Sequence, residues 1–365
     1  MRITRASVFT QFQSFTAGPY VCRGHAEDGF DSTLVKLETD TGDVGWGEFA
    51  PLGLFYSAAF ASGARAGLAA ILPTLIGEDP RQLQRVNTRL DDTLNGHPYI
   101  KAPIDMACWD LLGKATSLSI AALSGGRFGA AVPLYRSVSQ APPDAIATQA
   151  MAFAAEGYKR IQVKVGGDPL EDAECMHAVR AALGDDILLL ADANGAWTAD
   201  DAMRFVTRMG HADYYLEQPC MTLHDNVSVR RHTRQPMILD ESIESLQDLI
   251  DAHSAGVPNG ITIKLSRVGG LTQAKLIRDA AVALGLRVCI EDTGGSDVDT
   301  AATAHMMMST PESHRFHTVD FMNWVTVSNA TGMPPTAEGA MAAPTGPGLG
   351  LAVLEQALEW VQSFD

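Results

Sequence analysis

The chain has 365 residues, 46% hydrophobic and 19% charged, which suits a water-soluble protein with one large domain or two unequal ones. A formal net charge of −16 argues against nucleic acid or anionic membrane as partner. The five cysteines (Cys22, Cys108, Cys175, Cys220, Cys289) are scattered and lack CxxC spacing, so they read as buried thiols, not as a disulfide frame or zinc site.

At the start of the chain, RITRASVFTQF, STLVKLETD and DVGWGEF alternate in polarity and are separated by turn residues such as Thr41-Gly42-Asp43. That pattern predicts an antiparallel meander. Neither a signal-peptide core nor a transit-peptide character is present in MRITRASVFTQF, and stretches such as AGLAAILPTLIG are too short and interrupted to span a bilayer. The expected location is the cytoplasm. Apolar residues at helical spacing follow over 58–75, 80–94 and 103–118, giving an α+β domain over 1–125. From about 132 the pattern becomes strand–helix alternation. Strands are expected at 133–138, 160–164, 187–191, 213–217, 237–240, 260–264, 287–291 and 316–320, with helices such as 168–183, 199–209, 244–254 and 270–284 between them. Eight strands with helical crossovers predict a TIM (β/α) barrel over 126–327. The rival fold, a doubly wound open sheet, usually carries a glycine-rich phosphate loop after its first strand, and none is seen. The turn-rich tail, 328–365, is expected to return to the N-terminal domain.

Five side chains recur along the barrel half: Lys164, Asp192, Glu217, Asp240 and Lys264, separated by 28, 25, 23 and 24 residues. Each ends or follows a short apolar run, and the step matches one strand, one helix and two loops. All five side chains should therefore emerge at one edge of the sheet. Three carboxylates between two lysines form a plausible site for a divalent metal, with a base on either side. Magnesium prefers oxygen ligands and keeps open positions for substrate. A chelated substrate carboxylate would lose electron density and stabilise the enediolate formed when its α-proton leaves. Lys164 and Lys264 should approach the substrate from opposite faces, with pKa values lowered by burial and the cation.

The stretches GWGE (45–48), DMACWD (105–110), QVKVG (162–166), DAN (192–194), EQP (217–219), DES (240–242), KLSRVGG (264–270) and PGLGL (347–351) span nearly the whole chain. Together they resemble the enolase superfamily, in its mandelate racemase and muconate lactonizing branch. The resemblance implies an α+β capping domain, completed by the C-terminal tail, over a modified TIM barrel. It also implies Mg2+ (or Mn2+) on Asp192, Glu217 and Asp240, acid/base roles for Lys164 and Lys264, and supporting roles for Asn194 and Glu241. Two departures stand out. Gln162 occupies the first position of a pattern that is commonly Lys-x-Lys, and the seventh strand is followed by Glu291-Asp292-Thr293 where a histidine base would stand.

Substrate contacts are expected from Tyr56 and Tyr20 in the capping domain and from Glu291, Asp292, Asp320, Asn323 and Trp324 at the barrel end, a set suited to a cationic nitrogen. His305 reads as structural. The Gln162 variant, EQPC (217–220) and IEDTGGSD (290–297) most resemble the proline-derivative members of the family. The expected reaction is therefore α-proton abstraction from a small imino-acid carboxylate, with dehydration of cis-3-hydroxy-L-proline. A 2-epimerase of proline betaine or hydroxyproline betaine is the alternative. A sugar-acid dehydratase and a non-catalytic metal-binding scaffold fit less well. Family members are often oligomers, so a homo-oligomer is expected.

Overall fold

The computed structural model describes residues 1–365. The three alternating segments form strands Ile3–Ser14, Gly29–Thr39 and Val44–Phe49, paired antiparallel in that order. The tail supplies a fourth strand, Glu359–Phe364, which pairs antiparallel with Ile3–Ser14 and covers its free edge. The helix Pro98–Thr116 packs on this sheet and is buried over most of its length, so it shows little amphipathic pattern. Its close approach depends on two glycines of the neighbouring strand. A Cβ at Gly45 would stand 2.3 Å from the Ala107 carbonyl oxygen, and one at Gly47 would stand 2.0 Å from that of Pro103. A short hairpin, Tyr20–Cys22 with His25–Glu27, projects from this domain and was not anticipated from the sequence.

The second half is a parallel barrel. Seven strands, Arg136–Val138, Arg160–Lys164, Leu188–Asp192, Tyr215–Glu217, Met237–Leu239, Gly260–Lys264 and Arg287–Glu291, pair in sequence order. The expected eighth strand is not a regular strand, but residues 315–318 occupy its place. Phe316 N donates to Val288 O at 2.9 Å, and Thr318 N donates to Pro133 O at 3.0 Å, joining the last strand to the first. Leu190, Ile238 and Cys289, from the third, fifth and seventh strands, pack with Phe316 of the eighth position in one interior layer. The layer toward the C-terminal edge is polar, with Gln162, Glu217 and Thr262 from the intervening strands. The capping sheet lies over that edge.

Candidate active site

Strand register brings the predicted residues together. Lys164 is level with Asp192, Asp192 with Glu217, and Lys264 with Glu291, all at the C-terminal ends of their strands. Asp240 follows the fifth strand by one residue. Lys164 and Lys264 belong to the second and sixth strands, diametrically opposed in an eight-position ring. Both line one cavity between barrel and capping domain.

The charges are tightly paired. Lys164 donates to Asp192. Lys264 Nζ lies 2.7 Å from Glu291 Oε1, 3.2 Å from Asp240 Oδ2 and 5.1 Å from the centroid of the Tyr56 ring. Burial acts to lower both lysine pKa values, but carboxylates outweigh it: Asp192 for Lys164, Asp240 and Glu291 for Lys264. With the bare carboxylates around them, both amines are therefore held well above the ordinary lysine value; the expected depression belongs to a site in which those acids hold a dication. Glu217 is raised well above the carboxylate range, first by burial and then by the charges of Asp192, Asp240 and Glu291. Gln162 Nε2 (2.9 Å) and Thr262 Oγ1 (3.1 Å) donate to it. Gln162 thus serves Glu217 directly, where a lysine would have added charge. The three acids do not converge on one point as a closed ligand set in this structure. Their oxygen-only donors, registered strands and mutual repulsion nonetheless suit a hard dication.

Two loop residues hold the acids in place through left-handed backbone. Asn194 (φ 47°) turns its N–H back to Asp192 Oδ1 at 2.9 Å, and its side chain donates to Glu241 Oε1 at 3.0 Å. Gln218 (φ 31°) accepts from Asp240 N at 2.8 Å and from the Ser242 hydroxyl at 3.0 Å. Glu241 is pushed up to about 7 by burial and by Asp240 and Asp192.

Several of the residues around the site carried no assigned role in the sequence. Arg267 Nη1 donates to Asp240 Oδ1 at 2.6 Å, and Tyr135 OH donates to Glu291 Oε2 at 2.8 Å. Arg267 lies inside the quoted KLSRVGG stretch and Tyr135 inside the first predicted strand, but neither position shows which carboxylate its side chain reaches. Tyr56 lines the cavity and donates to Asp240 Oδ2 at 3.1 Å; Tyr20 lines it and shares a hydrogen bond with Ser137 at 3.1 Å. Glu291 and Asp292 also line it, although Glu291 is already neutralised by Lys264.

Asp320 and Asn323 are different. Neither lines the cavity. Asp320 is fully buried and accepts from Asn323 Nδ2 at 2.7 Å and from Tyr158 OH and Thr336 Oγ1, each at 3.1 Å. The pair braces the eighth loop, and the expected substrate contact is corrected. Trp324 does line the cavity, with the Arg136 guanidinium 4.8 Å from its ring on the other side. The wall is also richer in rings than the sequence suggested: Phe15, Phe30, Tyr135 and Phe321 join Tyr20, Tyr56 and Trp324.

A capping sheet closed by the tail, a parallel barrel, and acids and lysines at its C-terminal edge define a class. The mandelate racemase / muconate lactonizing enzyme N-terminal domain matches residues 7–125, and an enolase C-terminal domain-like profile matches 145–357. The chain belongs to the mandelate racemase / muconate lactonizing enzyme family of the enolase superfamily. Among its relatives is a cis-3-hydroxy-L-proline dehydratase from Roseibium aggregatum, 44% identical over 352 residues, 96% of each chain. A mandelate racemase/muconate lactonizing enzyme from Roseovarius nubinhibens ISM is 35% identical, with TM-score 0.96 and 100% of both chains covered. An enolase superfamily member from the same organism, complexed with magnesium, is 38% identical with TM-score 0.94, covering 100% of this chain and 99% of that one.

Proposed function

We propose that this enzyme removes the α-proton of cis-3-hydroxy-L-proline and expels the 3-hydroxyl as water, giving Δ1-pyrroline-2-carboxylate after the enamine tautomerises. The observation that carries this reading is the opposition of Lys164 and Lys264 across one cavity, in a chain 44% identical to a dehydratase of that substrate. In the cis isomer, hydroxyl and carboxylate share a face, so the C2 hydrogen lies anti to the leaving group. One lysine, as free amine, takes that hydrogen; the other, as ammonium, gives a proton to the hydroxyl from the opposite side. Asp192, Glu217 and Asp240 would hold Mg2+, which when bound draws electron density from the substrate carboxylate and lowers the barrier to proton loss. With a dication balancing Asp192 and Asp240, Lys164 would be free to turn to the substrate, and Lys264 would keep only Glu291 as its counter-ion. Asp292 and the rings of Tyr20, Tyr56 and Trp324 would receive the ring ammonium.

The seven aromatic side chains around the cavity favour a second reading, a 2-epimerase of proline betaine, since a quaternary nitrogen is well served by ring faces. There the second lysine would return a proton to C2. Incubation with Mg2+ in D2O, followed by NMR and by o-aminobenzaldehyde colour, separates the two. Imine from cis-3-hydroxy-L-proline supports dehydration. C2 exchange of proline betaine without any imine moves the assignment to the epimerase. Turnover of aldonic acids alone would mark a sugar-acid dehydratase, and no exchange with any of these compounds would leave a scaffold.

A further inference from the structure

Behind Asp292 lies a second group of acids that the proton-transfer scheme does not use. Glu48, from the strand Val44–Phe49, and Asp299, from the helix Asp297–Met308, are fully buried. Glu48 is well supplied with donors. It accepts from Gln13 Nε2 and Ser32 Oγ at 2.7 Å, from Asp299 N at 3.0 Å and from Ser296 N at 3.2 Å. Asp299 has no such donors: both of its carboxyl oxygens are sealed from solvent and accept nothing. Its side chain lies within hydrogen-bonding reach of Asp292. Asp292 in turn accepts from Thr293 N at 2.7 Å, Ser266 N at 2.9 Å and the Ser266 hydroxyl. Gly295 permits this packing, since a Cβ there would stand 2.5 Å from that of Asp299.

We propose that Asp299 is a neutral carboxylic acid whose O–H donates to Asp292, so that the pair carries one negative charge and that charge lies on the cavity-lining carboxylate. A fully buried carboxylate without a single donor is not sustainable, and two acids in contact hold one proton between them. The surroundings agree. Burial, then the charges of Asp292, Glu48 and Glu291, lift Asp299 well above the carboxylate range, while Asp292, near Lys264 and with its own donors, rises only to about 6. Asp299 is thus a positioning residue: it orients Asp292 and keeps an anionic acceptor aimed into the cavity. That the substrate's ring ammonium meets this acceptor rests on the dehydratase reading; the shared proton does not.

Infrared difference spectra of the free enzyme at neutral pH, wild type against Asp299→Asn, test the proton directly. The expected result is a protonated-carboxyl band, shifting in D2O, that is present in wild type and lost in the variant. Bands of ionised carboxylate alone would overturn the inference. In kinetics with cis-3-hydroxy-L-proline, Asp299→Asn keeps a donor and should hold KM within about threefold. Asp299→Leu, which has none, should raise KM about tenfold or more with a smaller change in kcat. Equal KM values in all three proteins would remove the positioning role. Should the leucine variant not fold, the infrared comparison still decides. A proton found in an enzyme inactive on every imino acid would sink the dehydratase reading and leave the shared proton standing.

Discussion

Lys164 and Lys264 are buried amines that hold opposite ends of an acidic arc, so each doubles as counter-ion and as base or acid. Replacing either by Ala should lower kcat for proton abstraction by about 10²–10⁴-fold, read as loss of C2 deuterium exchange. Arg267 has a different task. Its guanidinium pairs with Asp240, burial opposing and Asp240 favouring the charged form, and the pair keeps Asp240 down at about 2. Arg267→Met leaves a buried carboxylate short of its ion-pair partner and should cost about 3–5 kcal/mol, measured by urea unfolding. The sequence displayed the two lysines and three acids because strand repeats put them at a regular step. It could not display Arg267, Tyr135 or Gln218 as partners. Their importance comes from side-chain reach across strands, which has no period along the chain.

The stretches that marked the family without touching the cavity are junctions between elements. In GWGE, the glycines admit the helix Pro98–Thr116 against the capping sheet, and Glu48 reaches the barrel helix that carries Asp299. In DMACWD, Asp105 accepts from Thr272 N at 2.9 Å, Trp109 Nε1 donates to Thr272 Oγ1 at 2.9 Å, and Asp110 accepts from Trp46 N at 3.1 Å and Leu349 N at 2.9 Å. These residues tie cap, barrel and tail into one frame around the site. Gly47→Ala should force the sheet and helix apart and cost about 1–3 kcal/mol, seen as a lower denaturation midpoint with unchanged slope. A smaller loss would mean that the helix can yield by more than the backbone contact suggests. The hairpin Tyr20–Glu27 escaped the sequence reading because its strands are three residues long and too short to show alternation. Its Cys22 nevertheless donates to the Asn194 side chain at 3.3 Å and binds cap to site.

At the scale of the molecule, His305 joins three distant parts of the chain. Its Nδ1 accepts from Ala121 N at 3.3 Å and its Nε2 donates to Leu349 O at 3.1 Å, so the neutral tautomer is required. Burial brings its pKa down to about 4, from an ordinary value of 6.5. Between those values the unfolded chain binds more protons, so stability falls as pH drops from about 6.5 toward 4. The full effect is about 3 kcal/mol. His305→Gln can keep both hydrogen bonds and should lose less stability than wild type between pH 7 and pH 4, by about that amount in urea titrations. Equal losses would show that the imidazole stays neutral for another reason or titrates elsewhere.

Fold class, barrel register and the identities of five chemical side chains follow from local pattern, because strand alternation, crossover length and carboxylate spacing are all properties of short segments. Which groups share the cavity was decided only in three dimensions. Asp320 withdrew into a brace, Glu291 was claimed by Lys264, and the lysines came out as held cations because the chain folded carboxylates against them. Electrostatic environment depends on neighbours tens to hundreds of residues away, and no stretch of sequence carries that information on its own.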